Sequence, residues 1–345
     1  NKLFFLRKMF VRRCLPFLIL YILPATVISF SHREFLLSRY AYLPPPSFSF
    51  TLRTSNENSE LEIVNRILVT GGNKGIGLAI CKKLLVDYPD VRVLLGCRDE
   101  KRGKSAIDHL SSALGHNVVK DRISSLVMDT SSDESVLKAA QELDEEGELL
   151  YGIVNNAGIR SEDFKATINT NYFGPRRVCE FFESQLSIGG RVVNIASASG
   201  PNFVKSCKEE SLQQKLADPL STTVEDLDEI AASFIDGSAL GDVDKTNSYG
   251  LSKALLNAYT VLYAEENPDL IVNSCSPGYI LTDLTKGGNA ANPPEMGAEC
   301  PVHLLMSSEM MDVPAGRYYG SDIQRSPLDR YRAPGDPPFD DDIYE

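Results

Sequence analysis

From Asn65 onward, short runs rich in apolar and β-branched residues alternate with longer amphipathic stretches, and few folds accommodate that alternation. The runs fall at 67–70, 91–96, 123–128, 149–155, 191–196 and 270–274. Most are near-continuous in apolar character, as strands buried on both faces must be. The intervening segments at 75–87, 101–114, 133–145, 174–185 and 249–266 carry helical spacing. A β-α-β-α order requires crossover helices on both sides of a parallel sheet, so the expected fold is a single Rossmann-type, doubly wound α/β domain over 61–324. The tail at 325–345, with its prolines and a run of aspartates, is expected at the surface or disordered.

Bulk properties narrow the function classes. The chain has 345 residues, and its formal charge of -12 argues against a general nucleic-acid binder, which needs clustered Lys and Arg. Its seven cysteines form no C-x-x-C pair and are odd in number, so no zinc site or disulfide framework is expected and a reducing compartment is the simpler reading.

Residues 1–60 differ from the rest, being rich in Phe, Leu, Ser and Arg. Arg12 and Arg13 precede an apolar run interrupted by Pro16 and Pro24, with Val27 and Ser29 suited to a cleavage site, which reads as a signal peptide. A Ser-rich, Arg-bearing stretch follows, and the pair resembles a two-part plastid address. Plastid or endomembrane targeting is therefore the expectation. An ordinary secretory or anchor sequence, or translated upstream sequence before a start at Met9, are the alternatives, the last with a cytoplasmic protein. The run is short for a stable membrane span.

The motif Thr70-Gly71-Gly72-Asn73-Lys74-Gly75-Ile76-Gly77 lies between the first strand and the first helix. A glycine-rich turn there turns backbone N–H groups and a helix N-terminus toward an anion. Glycines alone would equally suit a tight turn. Arg98, about twenty residues on and just after the second strand, stands where an NAD-binding protein would carry an acid. A guanidinium there suits a ribose 2′-phosphate, with Lys74 as a second charge, so NADPH/NADP+ is the expected cofactor. Asp129, after the third strand, would cap the next helix or accept from the adenine amino group.

Further motifs follow in order: Asn155-Asn156-Ala157-Gly158, Thr170-Asn171-Tyr172-Phe173-Gly174, Val193-Asn194-Ile195-Ala196-Ser197, Tyr249-Gly250-Leu251-Ser252-Lys253, and Ser276-Pro277-Gly278 with Thr282 four places on. Together with the glycine loop they resemble the short-chain dehydrogenase/reductase family over 65–319. The resemblance implies a catalytic tetrad of Asn171, Ser197, Tyr249 and Lys253. Ser197 is preferred to Ser199 because the family's serine falls three places after Asn194. It also implies dinucleotide contacts from Gly71, Asn73, Lys74, Gly75, Ile76, Gly77, Arg98, Asp129, Asn156, Ala157, Gly158, Pro277, Gly278 and Thr282, besides Tyr249 and Lys253.

The chemistry needs these residue types. Tyr249 and Lys253 share a helical face, so the ammonium is expected to lower the phenol's pKa from its usual value of about 10 and fit it to donate a proton. Ser197 would hydrogen-bond the carbonyl oxygen as charge develops on it. Lys253 would also hold the nicotinamide ribose, and Asn171 would fix a water leading to solvent.

About fifty residues separate Ser197 from Tyr249. In the insertion at 200–245, Val224, Leu227, Ile230 and Phe234 recur at helical spacing, with Glu225, Asp226, Asp228 and Glu229 expected on the outer face. Such an insertion looks like the carbonyl reductase branch, with its plant relatives that reduce menthone-type and alkaloid ketones, and implies a monomer acting on a small ketone, aldehyde or quinone. A catalytically silent NADPH sensor is the alternative. An epimerase or dehydratase of the extended branch would show a different glycine spacing and a longer C-terminal domain.

Overall fold

Strand residues 67–69 are fully buried, yet they feed two different cores, which fixes how the layers stack. In the computed structural model, residues 65–238 and 247–340 are described. The targeting segment expected at 1–60 lies outside them, as do 239–246 of the insertion and the last five residues.

The sheet is built on β1 (Asn65–Thr70), which pairs in parallel with β2 (Val91–Cys97) on one side and β4 (Leu150–Asn155) on the other. The third strand, β3 (Ile123–Val127), lies outside β2, while β5 (Leu186–Ile195), β6 (Ile271–Cys275) and β7 (Tyr318–Tyr319) extend the other side in parallel. The order is β3-β2-β1-β4-β5-β6-β7-β8, with β8 (Arg325–Ser326) antiparallel to β7. The order reverses between β1 and β4, and the crevice beyond their carboxyl ends is where such a sheet can take a ligand.

Because successive side chains leave a strand on opposite faces, Ile67 and Val69 pack with α1 (Gly75–Asp87), α2 (Glu100–Leu114) and α9 (Pro294–Met306), whereas Leu68 joins the other layer. That layer comprises α3 (Asp133–Glu146), α4 (Gly174–Phe182), the insertion helices and α8 (Ser248–Glu266). Helix starts follow ordinary capping chemistry: Asp99 accepts from the Arg102 amide, Ser132 from the Ser135 amide.

Among its described residues the insertion forms three α-helices: α5 (Ser199–Ser206), α6 (Glu210–Ala217) and α7 (Val224–Asp236). Only α7 was legible in the spacing. It starts at a capping box between Thr223 and Asp226 and buries Leu227, Ile230 and Phe234 as expected. Asp228 departs from the expected outer face: it turns toward the body and meets Tyr172 and Arg176. Where α5 crosses α8, a Cβ on Gly200 would lie 3.0 Å from the Lys253 carbonyl, so glycine lets the two helices approach without displacing that backbone. The tail is better anchored than expected as far as it is described, because buried Arg332 donates to Ser326 and Asp336 and pairs with Asp322. Among the described residues no helix is long and apolar enough to cross a membrane.

Candidate active site

The loops after β1 and β4 are knitted together before either can meet a ligand. Thr70 Oγ1 accepts from the amides of Asn156 and Ala157, each at 3.0 Å, and Asn156 Nδ2 donates to Thr70 O at 2.9 Å. Gly71 and Gly75 adopt positive φ values of 65° and 55°, a conformation that glycine takes without strain. Gly77 serves differently. It does not line the cleft, but a Cβ there would collide with Gly71 O and the Asn156 amide, so its hydrogen lets α1 close on the strand ends.

A cleft of about 820 Å³ opens over these loops. Of the expected dinucleotide residues, Gly71, Asn73, Lys74, Gly75, Ile76, Arg98, Asp129, Asn156, Ala157, Gly158 and Thr282 line it. Pro277 and Gly278, in the turn after β6, do not line it, and Gly278 has a φ of 91°. Asp129 accepts from the amide and hydroxyl of Ser131, making a turn, and leaves the cap of α3 to Ser132. Lys74 pairs with Asp283 on the loop beyond β6 and so is not the free second charge expected of it. Arg102, in the first turn of α2, lines the cleft together with Arg98. Sequence reasoning missed it, although the four-residue spacing from Arg98 into the first turn of α2 was the available signal.

Next to the cleft-lining residues Gly158, Ile159 and Arg160 stand the tetrad residues. Asn171 sits in a π-helical turn, Asn169–Phe173, a rare feature that is frequent at functional sites. Its Oδ1 accepts from the Ile159 amide at 2.8 Å, and its Nδ2 donates to Ile159 O at 2.8 Å and Ser252 Oγ at 3.1 Å. A Cβ on Gly158 would come within 3.3 Å of Asn171 Oδ1 and 3.7 Å of Lys253 Nζ, so Gly158 keeps this corner compact. Lys253 is buried on α8 and donates to Ile195 O at 2.6 Å. Burial pushes its ammonium down to about 8.

Tyr249 has two cations near its ring, Lys253 Nζ 5.8 Å and Arg160 Cζ 5.5 Å from the centroid. Its hydroxyl is hydrogen-bonded with Ser197, and Ser197 Oγ also accepts from the Ser199 amide at 3.2 Å. The expected lowering of the phenol pKa by Lys253 is not what this arrangement produces. Burial raises it, and the opposing influences are the Ser197 hydrogen bond and the charge of Arg160. The reason is geometric: the ammonium faces the Ile195 carbonyl and is itself desolvated, so it is a weak partner for the phenol.

The family model for short chain dehydrogenase matches residues 65–207. Carbonyl reductase (NADPH) 1 of Rattus norvegicus is 33% identical over 274 residues, covering 73% of this chain and 94% of the relative. The chain belongs to the short-chain dehydrogenase/reductase family. The (+)-neomenthol dehydrogenase of Arabidopsis thaliana is 29% identical over 287 residues, with the same coverage of 73% and 94%. Among solved structures, salutaridine reductase from Papaver somniferum superposes with a TM-score of 0.64 at 25% identity, covering 74% of this chain and 99% of that one. These relatives place it in the carbonyl-reductase-like branch of the family, and the three-helix insertion is the part of the fold on which that branch was expected to differ.

Proposed function

We propose that the protein reduces a ketone, aldehyde or quinone to the alcohol with NADPH, Tyr249 supplying the proton. The observation that carries this reading is the pairing of Tyr249 with Ser197 beside Arg160, a residue of the same cleft that Arg98 and Arg102 line. Two guanidiniums suit a 2′-phosphate, and the glycine loop and the uncapped N-terminus of α1 suit a pyrophosphate. When bound there, the dinucleotide supplies a hydride to the carbonyl carbon. Ser197 and Tyr249 hydrogen-bond the carbonyl oxygen as it becomes negative, and Tyr249, kept protonated at neutral pH by burial, delivers the proton. Lys253 would hold the nicotinamide ribose, and Asn171 would fix a water leading from that lysine to solvent.

The test is loss of NADPH absorbance with a panel of quinones, aldehydes and cyclic ketones. Tyr249→Phe is expected to lower turnover by about two to four orders of magnitude, the range for a lost general acid. Arg98→Ala and Arg102→Ala are each expected to erode the preference for NADPH over NADH. Tight NADPH binding with no turnover on any compound would instead favour a sensor. Because α5, α6 and α7 pack on α8, we also expect a monomer, which light scattering would check.

A further inference from the structure

Arg160 has no part in the reading above. It is exposed on the turn after β4, lines the cleft beside Gly158 and Ile159, and holds its Cζ 5.5 Å from the centroid of the Tyr249 ring. Its guanidinium has no hydrogen bond or ion pair to any described residue. The three acids that line the cleft are already engaged: Asp99 caps α2, Asp129 holds Ser131, and Asp283 pairs with Lys74. Ile159, Leu281 and Leu284 add apolar surface to the cleft lining.

The guanidinium stands 5.5 Å from the centre of the Tyr249 ring, close enough to meet a group carried near a carbonyl bound at the Tyr249 hydroxyl. We propose that Arg160 is the specificity-determining residue for a carboxylate on the substrate, so that the compounds reduced are oxo acids with an apolar body and a short linker between carbonyl and carboxylate. A single planar guanidinium matches a carboxylate through two parallel hydrogen bonds. This rests on the carbonyl-reduction reading. The carboxylate takes no part in the redox change: the carbonyl carbon gains a hydride, its oxygen gains the Tyr249 proton, and NADPH leaves as NADP+. The charge of Arg160 also opposes the rise of the Tyr249 pKa, so a substrate carboxylate that neutralises the arginine keeps Tyr249 in its proton-donating form.

The experiment compares benzoylformate and levulinate with their methyl esters as substrates, in wild type, Arg160→Ala, Arg160→Lys and Lys286→Ala. Lys286 lines the same cleft and controls for its general charge. Wild type is expected to favour at least one acid over its ester in kcat/KM by about tenfold or more, the scale of a hydrogen bond to a charged group. Arg160→Ala should lose that ratio through KM for the acid, Arg160→Lys should keep part of it, and Lys286→Ala should keep it. Taking the ratio cancels any common effect on Tyr249. Equal use of acid and ester by wild type, an equal loss for both in Arg160→Ala, or the same loss in Lys286→Ala would overturn the proposal. Calorimetric titration of the same acids into NADP+-saturated protein separates the two readings. Arg160-dependent binding with no NADPH consumed on any carbonyl sinks the reductase reading and leaves the carboxylate site standing. Acid binding that is absent or indifferent to Arg160, or a weakened NADP+ affinity in Arg160→Ala, removes the site itself.

Discussion

The hydroxyl of Tyr172 donates to the carboxylate of Asp228 over 2.9 Å, tying the residue next to Asn171 to the last helix of the insertion. Tyr172 is fully buried, and its phenol is pushed well above its ordinary pKa, first by burial, so it remains a donor. Arg176, one turn on, pairs with the same carboxylate and with Glu180 at 2.9 Å. Burial works against the Arg176 charge, and only the Asp228 hydrogen bond together with the negative charges of Glu180 and Asp228 outweighs it. The insertion thus does more than cover α8: it pins the π-helical turn that presents Asn171.

Asp228→Ala leaves a buried hydroxyl and a largely buried guanidinium without their shared acceptor. The expected loss is about 1–3 kcal/mol of unfolding free energy, with Asp228→Asn milder because its amide oxygen still accepts from Tyr172. Urea unfolding of the three proteins, with kcat measured alongside, checks this. An Asp228→Ala protein of wild-type stability and activity would mean that the insertion does not hold the turn.

Removal of Ser197 should be visible in the pH profile. The Ser197 hydrogen bond lowers the Tyr249 pKa against the upward push of burial. In Ser197→Ala that opposition is gone, so the phenol ionises at higher pH. The alkaline fall of the reduction rate, and the alkaline rise of alcohol oxidation, should both move to higher pH, besides any loss of kcat. A shift to lower pH would contradict the assigned hydrogen bond.

How much of this was legible follows from particular residues. Doubly buried strands such as 67–70 read as continuous apolar runs, and the motif residues Asn171, Ser197, Tyr249 and Lys253 could be named before any geometry was known. Helix α9 was missed because Pro301 lies within it and no side chain caps its start. Helices α5 and α6 were missed because each is only eight residues long and buries few side chains. Asp228 was misjudged because a charge in a polar position reads as solvent-facing unless its partners, here Tyr172 and Arg176, are known. The four-residue spacing of Tyr249 and Lys253 says that they share a face, but not that the ammonium turns to Ile195 O and is desolvated.

Lys253 makes folding pH-dependent. Burial lowers its pKa from 10.5 to about 8 in the folded protein. Between those values the unfolded chain holds one more proton than the folded chain, so stability rises with pH across the window, and below it the full penalty of a buried ammonium applies. The slope for one group is about 1.4 kcal/mol per pH unit. Unfolding free energies of wild type and Lys253→Met, compared from about pH 7.5 to about pH 10, should therefore shift in favour of wild type by on the order of 2–3 kcal/mol. A constant difference would mean that Lys253 titrates normally.

The Lys74–Asp283 pair bridges the glycine loop and the loop beyond β6 at the mouth of the cleft. Both side chains are well exposed, and Asp283 is held below the usual carboxylate range first by its hydrogen bond from Lys74. An exposed pair is screened and contributes little to stability, so Asp283→Asn should leave Tm unchanged. Its effect belongs to binding. An incoming phosphate must compete with Asp283 for Lys74, and the asparagine variant removes that competitor without removing the cation. NADPH is therefore expected to bind Asp283→Asn severalfold more tightly than wild type, with a smaller gain for NADH, which lacks the 2′-phosphate. Fluorescence titration of both dinucleotides at low and high salt measures it. An equal gain for the two would assign Lys74 to the shared pyrophosphate, and a weaker grip on NADPH would mean that the ion pair holds the cleft in its binding shape.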